Sequence, residues 1–295
     1  MLLTSCSTAS FFLQYIVSTP IGNLEDVTLR ALRVLRTASL VLAEDTRHTR
    51  QLFSRYDIHT RLESFHQHNE RQKEAMVLRQ LQQGAAIALV CDAGTPAIND
   101  PGADLVAAAA AANVRVIPVP GPSAVLAAVV ASGLPTQQFL YCGFTAPKAG
   151  ARQKQLSKLA GQEATLVFYV SPHSLLAALE DAVQVLGAHR RCCLARELTK
   201  RHEELWRGSL GEALAEFSER GPRGEFVLLI EGSGSAAAVQ GEAVSEDQIV
   251  EALRQAVAAG QSPSSAARSV AKALGQSRKL CYSLSLGLQA IEPSS

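Results

Sequence analysis

The sequence predicts an α/β protein with two α/β domains, the first on a parallel sheet and the second on a mixed sheet, followed by a small helical C-terminal tail. Three observations carry this. Over the first ~135 residues, apolar runs of strand length alternate with segments of helical spacing, as in an open parallel sheet. From 136 to 232 strand-like runs keep recurring, now beside a basic helix and with helices on one side. After Gly232 the chain turns to Ser, Gly and Ala, which marks a linker before the last helices. The expected divisions are a flexible tail over 1–13, domains over 14–135 and 136–232, and a linker with a small helical module over 233–295.

The elements follow in order. Gln14–Pro20 reads as a short strand ending in a turn, and Thr28–Ala38 as a helix capped by Thr28, with Leu29, Leu32 and Leu35 at helical spacing. Ser39–Asp45 is a second strand ending in acids. His68–Gly84 is a helix with Asn69 as its cap, an apolar stripe at Met76, Val77 and Leu81, and Gly84 as its stop. Ala85–Asp92 is an unbroken apolar run of the kind buried on both faces. A helix over Gly102–Val114, a strand from Arg115 and a helix over Ser123–Gly133 complete the first domain. In the second, strands are expected within Gln137–Phe144, Ala164–Val170, Arg190–Thr199 and Glu225–Gly232, with helices in Ala146–Ala160 and Ser174–Gly187. The tail holds an amphipathic Asp247–Ala259, then Ser262–Gly275 with a Ser cap and Pro in its first turn, then a last helix near Gln276–Gln289.

Composition bounds the function. The chain has 295 residues, 47% apolar and 19% charged, a folded composition rather than a disordered one. A net charge of +1 leaves nucleic-acid binding to a local patch. The six cysteines, Cys6, Cys91, Cys142, Cys192, Cys193 and Cys281, form no CxxC pair, so core thiols in a reducing compartment are expected and no metal site. No run reaches the ~18 apolar residues of a membrane span, and the expected location is cytoplasmic.

Three turn-rich loops follow three strands: Ser18–Asp26, Asp92–Gly102 and Pro118–Ala124. Ligands of open parallel sheets bind outside the carboxyl ends of the strands, so these loops would floor a pocket. None has the spacing of a P-loop or of a dinucleotide fingerprint. Asp92 is read either as a ligand contact or as the closer of an Asx turn. Asn99–Gly102 is read as the start of the next helix.

Five stretches together carry a resemblance: TPIGNLED at Thr19–Asp26, AEDTRHT at Ala43–Thr49, DAGTPAINDPG at Asp92–Gly102, VPGPSA at Val119–Ala124 and LARELTK at Leu194–Lys200. In this order, from about Tyr15 to Gly232, the chain resembles the ribosomal RNA small subunit methyltransferase I family of the tetrapyrrole methylase (class III methyltransferase) superfamily. The resemblance implies two domains with S-adenosylmethionine in the cleft between them. It also implies methyl transfer to the ribose 2′-hydroxyl of a decoding-region cytidine in 16S rRNA, within the small ribosomal subunit, by a homodimer. By the same resemblance Pro20, Ile21 and Gly22 form the first cofactor loop. Asp92, Gly94, Thr95 and Ile98 form the second, and Ser123 and Ala124 the third. The adenine side is expected near Phe168–Val170, including Tyr169, and near Leu198, Glu225 and Phe226.

Methyl transfer needs alignment above all, and a neutral ribose hydroxyl gains from a general base. The candidates are Lys200, Asp45, Glu197, Glu44 and Asp100. Lys200 serves as a base only if its surroundings lower its pKa, and otherwise holds a phosphate. Glu44 and Asp45 are equally read as a capping or salt-bridged pair. RNA contacts are assigned to Arg47, His48 and Arg50, to His66 and His68 (or helix capping by that pair), and to the basic stretch with Lys148, Arg152 and Lys154. Two departures from the family pattern stand out. FYVSPHSL at Phe168–Leu175 places Val170 and Ser174 where a Glu and an Arg are usual, and Ser18 stands where Pro is common. The alternatives are a tetrapyrrole-type small-molecule methylase, or a cofactor- and RNA-binding assembly protein with reduced turnover.

Overall fold

The computed structural model describes residues 13–234, 246–258, 261–274 and 277–289. Of the expected tail over 1–13, residues 1–12 lie outside the described residues, as does most of the linker, 235–245, while Leu13 begins the first strand. Two compact units are distinguished, residues 1–160 with 164–230, and residues 161–163 with 231–295.

The first unit holds two five-stranded sheets. The first consists of β1 (Leu13–Val17), β2 (Leu40–Ala43), β3 (Leu62–Ser64), β4 (Ala86–Val90) and β5 (Arg115–Val119), in the order β3-β2-β4-β1-β5, all parallel. Strand alternation sends Val41, Ala43, Ala88 and Val90 to one face and Leu40, Leu42, Ile87 and Leu89 to the other. On the first face pack α1 (Leu29–Thr37) and α2 (Thr46–Arg55), through residues such as Leu32, Leu35, Leu52 and Phe53. On the second face pack α3 (Glu70–Gln82) and α4 (Ala103–Ala111), through Val77, Leu81, Leu105 and Ala109. The chain leaving β1 therefore goes to one face and the chain leaving adjacent β4 goes to the other. That divergence opens a crevice at the carboxyl ends of these two strands, the switch point where such sheets bind ligands.

From β5, α5 (Ala124–Ser132) leads to the second sheet. Its strands are β6 (Phe139–Phe144), β7 (Thr165–Val170), β8 (Arg191–Arg196), β9 (Glu204–Ser209) and β10 (Phe226–Ile230), ordered β6-β7-β10-β8-β9. Only β6 and β7 run parallel; the other pairs are antiparallel, so the sheet is mixed. Helices α6 (Ala149–Leu159), α7 (Leu175–Leu186) and α8 (Leu210–Arg220) bury Leu156, Leu179 and Phe217 on one face. The opposite face takes α5, through Val125, Ala128 and Val129. Both faces are thus covered, not one as the sequence suggested.

The second unit contains α9 (Glu246–Ala258), α10 (Pro263–Ala273) and α11 (Arg278–Gln289). Its core is built from few large side chains: Ile249, Leu253, Ala266, Ala267, Val270 and Cys281. Among the described residues no helix is long and apolar enough to cross a membrane.

Several local expectations change. Leu29 is 87% exposed at the first turn of α1, and the buried stripe is Ala31, Leu32, Val34 and Leu35. Asn69 does not cap α3, because its Oδ1 accepts from the His66 amide at 2.9 Å. The segment after Asp45, to which no element is assigned from sequence, is α2, with Asp45 as its cap. β9 and α8 were not foreseen. The signal for α8 was present, since Ser209 and Glu212 form a capping box ahead of apolar residues at helical spacing.

Gly102 shows why one glycine is required. Its φ is +118°, and an added Cβ would lie 2.3 Å from Leu89 Cδ2 in the buried core. Gly102→Ala is expected to cost about 1–3 kcal/mol in urea denaturation, from overpacking and left-handed strain. An unchanged midpoint would contradict this.

Candidate active site

The three loops at the carboxyl edge of the first sheet are laced together. Thr19 and Gly94 exchange backbone hydrogen bonds at 2.8 and 3.0 Å, and Thr19 Oγ1 donates to the Cys91 carbonyl at 3.1 Å. The Ser18 and Thr95 hydroxyls are 2.9 Å apart, and Thr95 Oγ1 donates to the Pro122 carbonyl at 3.3 Å. Ser18 therefore joins the loops through a bond that a proline at this position would not make. Gly94 has φ +83°, and a Cβ on Gly121 would lie 3.0 Å from Ser18 Cβ. Small residues let these backbones close into a floor.

Above this floor lies a cavity of about 930 Å³ between the two sheets of the first unit. Of the predicted cofactor residues, Ile21, Asp92, Gly94, Thr95, Ile98, Ser123, Ala124, Tyr169 and Leu198 line it. Pro20 and Gly22 do not. Gly22 serves a close approach, since a Cβ there would lie 2.5 Å from Lys200 Cγ and 2.8 Å from Thr199 Oγ1. Ser123 also caps α5, accepting from the Leu126 amide. The sequence reading missed Tyr141 and Phe144, which line the cavity from β6. Tyr141 packs edge-on against Tyr169 with ring centres 5.3 Å apart, and Phe144 lies 5.4 Å from the same ring. Asn99 does more than start a helix: its Nδ2 donates to Tyr141 Oη, tying the loop after β4 to β6.

One wall is acidic. Glu44, Asp92 and Asp100 all line the cavity. Burial, then the charges of Asp100 and Asp92, push Glu44 above its ordinary value. Burial also raises Asp100; a hydrogen bond from the Cys91 thiol opposes the shift and the charge of Asp92 adds to it. Asp92 is anchored, because its Oδ1 accepts from the Asp45 amide at 3.0 Å. It closes no local Asx turn through that bond; it joins β4 to the start of α2.

The structure gives the three catalytic candidates Asp45, Lys200 and Glu197 different surroundings. Asp45 is not among the cavity-lining residues. It caps α2 by accepting from the Arg47 amide at 2.8 Å and grips the Arg47 guanidinium at 2.7 Å, and those bonds hold its carboxyl down to about 2. Lys200 lines the cavity. Burial disfavours its charge, yet Glu225 at 2.7 Å and Glu197 at 3.0 Å outweigh it and raise the pKa, so Lys200 stays an ammonium. Glu197 is a structural clamp with φ +49°, accepting from the Glu225 amide at 2.9 Å and from Lys200. Burial opposes its charge, but these bonds win and its pKa is lowered.

The RNA assignments separate. Arg47, His48 and Arg50 lie exposed on α2, although Arg47 is engaged by Asp45. His66 and His68 sit in the turn after β3 rather than on a strand; their rings meet edge-on, and His66 Nε2 lies 3.2 Å from Asn69 Nδ2. Lys148 and Lys154 are exposed at α6. Arg152 is not available to RNA. It is 3% exposed and pairs with Asp181 of α7 at 2.6 Å. Val170 is 2% exposed, packs in the core against α7 and also borders the cavity, while Ser174 Oγ donates to the Ser171 carbonyl.

The profile described as Tetrapyrrole (Corrin/Porphyrin) Methylases matches residues 15–214. A protein of Synechocystis sp. named ribosomal RNA small subunit methyltransferase I is 46% identical over 94% of this chain and 98% of its own length. This chain belongs to the tetrapyrrole methylase family, in the branch of the ribosomal RNA small subunit methyltransferases I. A relative of that name from Escherichia coli O157:H7 is 48% identical over 81% of this chain and 82% of its own. Tetrapyrrole methylases of known structure share the fold. Cobalt precorrin-4 methyltransferase, a cobalamin biosynthetic enzyme, matches with TM-score 0.58 at 16% identity, over 75% of this chain and 95% of that one. Uroporphyrin-III-C-methyltransferase from Thermus thermophilus matches with TM-score 0.53 at 21% identity, over 77% and 97%.

Proposed function

We propose that this protein is an S-adenosylmethionine-dependent methyltransferase that modifies the ribose 2′-hydroxyl of a decoding-region cytidine in 16S rRNA, within the small ribosomal subunit. It works in the cytoplasm as a homodimer, with the cavity between domains over 14–135 and 136–232. The observation that carries the reading is the cavity at the switch point of a sheet whose relatives, 46% and 48% identical, are named for rRNA methylation. Leu29 and Val130, 87% and 77% exposed, are apolar groups that self-association would cover.

The residues present suit the donor. Its sulfonium and ammonium are cationic, and Glu44, Asp92 and Asp100 face the cavity; its carboxylate is anionic, and Lys200 faces the same cavity. Gly94 and Gly121 let backbone groups approach without a side chain in the way. Tyr169 and Leu198 provide apolar cover. When bound, S-adenosylmethionine supplies an electrophilic methyl group. The chain's part is to align the acceptor hydroxyl and take its proton. Asp100 suits proton removal: its carboxyl lines the cavity and burial holds it above the ordinary carboxylate value. Its charge helps to raise the phenols of the same cavity, second to burial for Tyr169 and after burial and the Tyr169 charge for Tyr141.

Two measurements test this reading. Calorimetry should show one donor per chain, with Asp92→Asn weakening binding about tenfold, the scale of a charged hydrogen bond, while the Asp45 amide keeps an acceptor. Unchanged affinity would remove Asp92 from the site. Nuclease digestion of methylated RNA should yield 2′-O-methylcytidine, and methyl found only on a base would overturn the ribose assignment.

A further inference from the structure

We propose that Phe144 is a stacking platform for a nucleobase of the RNA substrate at the mouth of the cavity. The inference rests on the reading of the cavity as the site of RNA methylation. Phe144 lines the cavity yet is 60% exposed, a large apolar ring facing solvent where a protein would ordinarily bury it. Single-stranded RNA is recognised largely by aromatic side chains that offer a flat face to an unstacked base. An enzyme acting on one nucleotide must also hold that nucleotide away from its neighbours.

The surroundings make Phe144 a fixed platform rather than a loose end. Its ring leans on Tyr169 at 5.4 Å, and Tyr169 is braced by Tyr141 at 5.3 Å. The backbone on both sides is pinned. Gln155 Nε2 donates to the Phe144 carbonyl at 3.2 Å, Thr145 N donates to the Tyr169 carbonyl at 3.1 Å, and Gln155 Oε1 accepts from the Ala146 amide at 2.9 Å. Buried Arg152 then donates to the Ala146 and Pro147 carbonyls at 3.1 and 3.2 Å while held by Asp181. Gly143, at φ +71°, turns the strand just before Phe144, where the β6–β7 register shifts. Four residues further on, exposed Lys148 opens α6 with Lys154 behind it, so cationic groups follow the ring along the chain. A base on the ring and its backbone near these lysines is the arrangement single-strand binders use.

The competing occupant of the ring is the adenine of the donor, and the experiment separates the two. Phe144→Ala, Phe144→Trp and the wild type are compared for methyl transfer to small subunits lacking the modification, and for donor affinity by calorimetry without RNA. Phe144→Ala should lower kcat/KM for RNA about thirtyfold, the middle of the range for one base stacked on an aromatic. Its donor Kd should stay within about twofold of wild type, because no donor contact is removed. Phe144→Trp should restore transfer, and its fluorescence should be quenched by a short cytidine-containing oligoribonucleotide. A donor Kd that weakens in step with transfer would give the ring to adenine and overturn the proposal. So would unchanged kcat/KM in an active Phe144→Ala protein. If the wild type itself transfers no methyl to RNA and the oligoribonucleotide leaves Phe144→Trp fluorescence unchanged, the underlying reading fails as well.

Discussion

Arg152→Ala is expected to destabilise the first unit by about 3–5 kcal/mol, the cost of leaving one member of a buried ion pair without its partner. The Arg152 and Asp181 side chains are 4% and 9% exposed, and two guanidinium nitrogens meet the same carboxylate oxygen at 2.6 Å. Gln153 holds the other oxygen at 2.7 Å, so Asp181 loses its main counter-charge but stays buried. The same substitution frees the carbonyls of Ala146 and Pro147, and RNA transfer should therefore fall as well as stability. Replacing both partners, as in Arg152→Met with Asp181→Leu, should recover most of the lost stability, because an apolar pair leaves no buried charge. Urea denaturation of the wild type and the two variants checks this. A single-variant loss below about 1 kcal/mol would mean the pair is not isolated from water as its burial implies.

Asp100→Asn should lower kcat by about 10²–10⁴, the usual contribution of a positioned general base. Donor binding should change far less. The pH profile gives a sharper test. A carboxylate acts as a base only when ionised, so activity falls as pH drops through its pKa. Because burial and the Asp92 charge raise Asp100 above 3.8, the acid limb of kcat should lie above the ordinary carboxylate range. In Asp100→Asn two carboxylates remain in the cavity, Asp92 and Glu44, and the pKa of Glu44, raised first by burial and second by the Asp100 charge, should fall. An unaltered kcat with an unaltered limb would take Asp100 out of the chemistry.

How far the sequence led can be seen in particular residues. The core strands were plain because Ile87–Val90 and Leu166–Phe168 are buried runs without a polar break. Helix α2 was not, because only Thr49, Leu52 and Phe53 of its ten residues are buried, and its polar face reads as a loop. The spacing of those three and the Asp45 cap were signals available in the sequence. Arg152 could not be told from its neighbours Lys148 and Lys154, since its partner Asp181 lies 29 residues away on another helix. The loops at the sheet edge were legible as a pocket floor, since their glycines and prolines announce close backbone approach. Their contacts were not: the Asp92 bond to the Asp45 amide and the Asn99 bond to Tyr141 join segments 47 and 42 residues apart. Lys200 lines the cavity, but its charge state depends on Glu225, which only the fold brings beside it.

Methyl transfer from labelled S-adenosylmethionine tests the central claim most directly. Wild-type protein is offered small ribosomal subunits lacking the modification, free 16S rRNA and a porphyrin precursor in parallel. Label should enter 16S rRNA, recovered as 2′-O-methylcytidine, with none on the precursor and almost none with the Asp100→Asn variant. Label on the porphyrin precursor alone, or donor binding with no transfer to either RNA, would contradict the account.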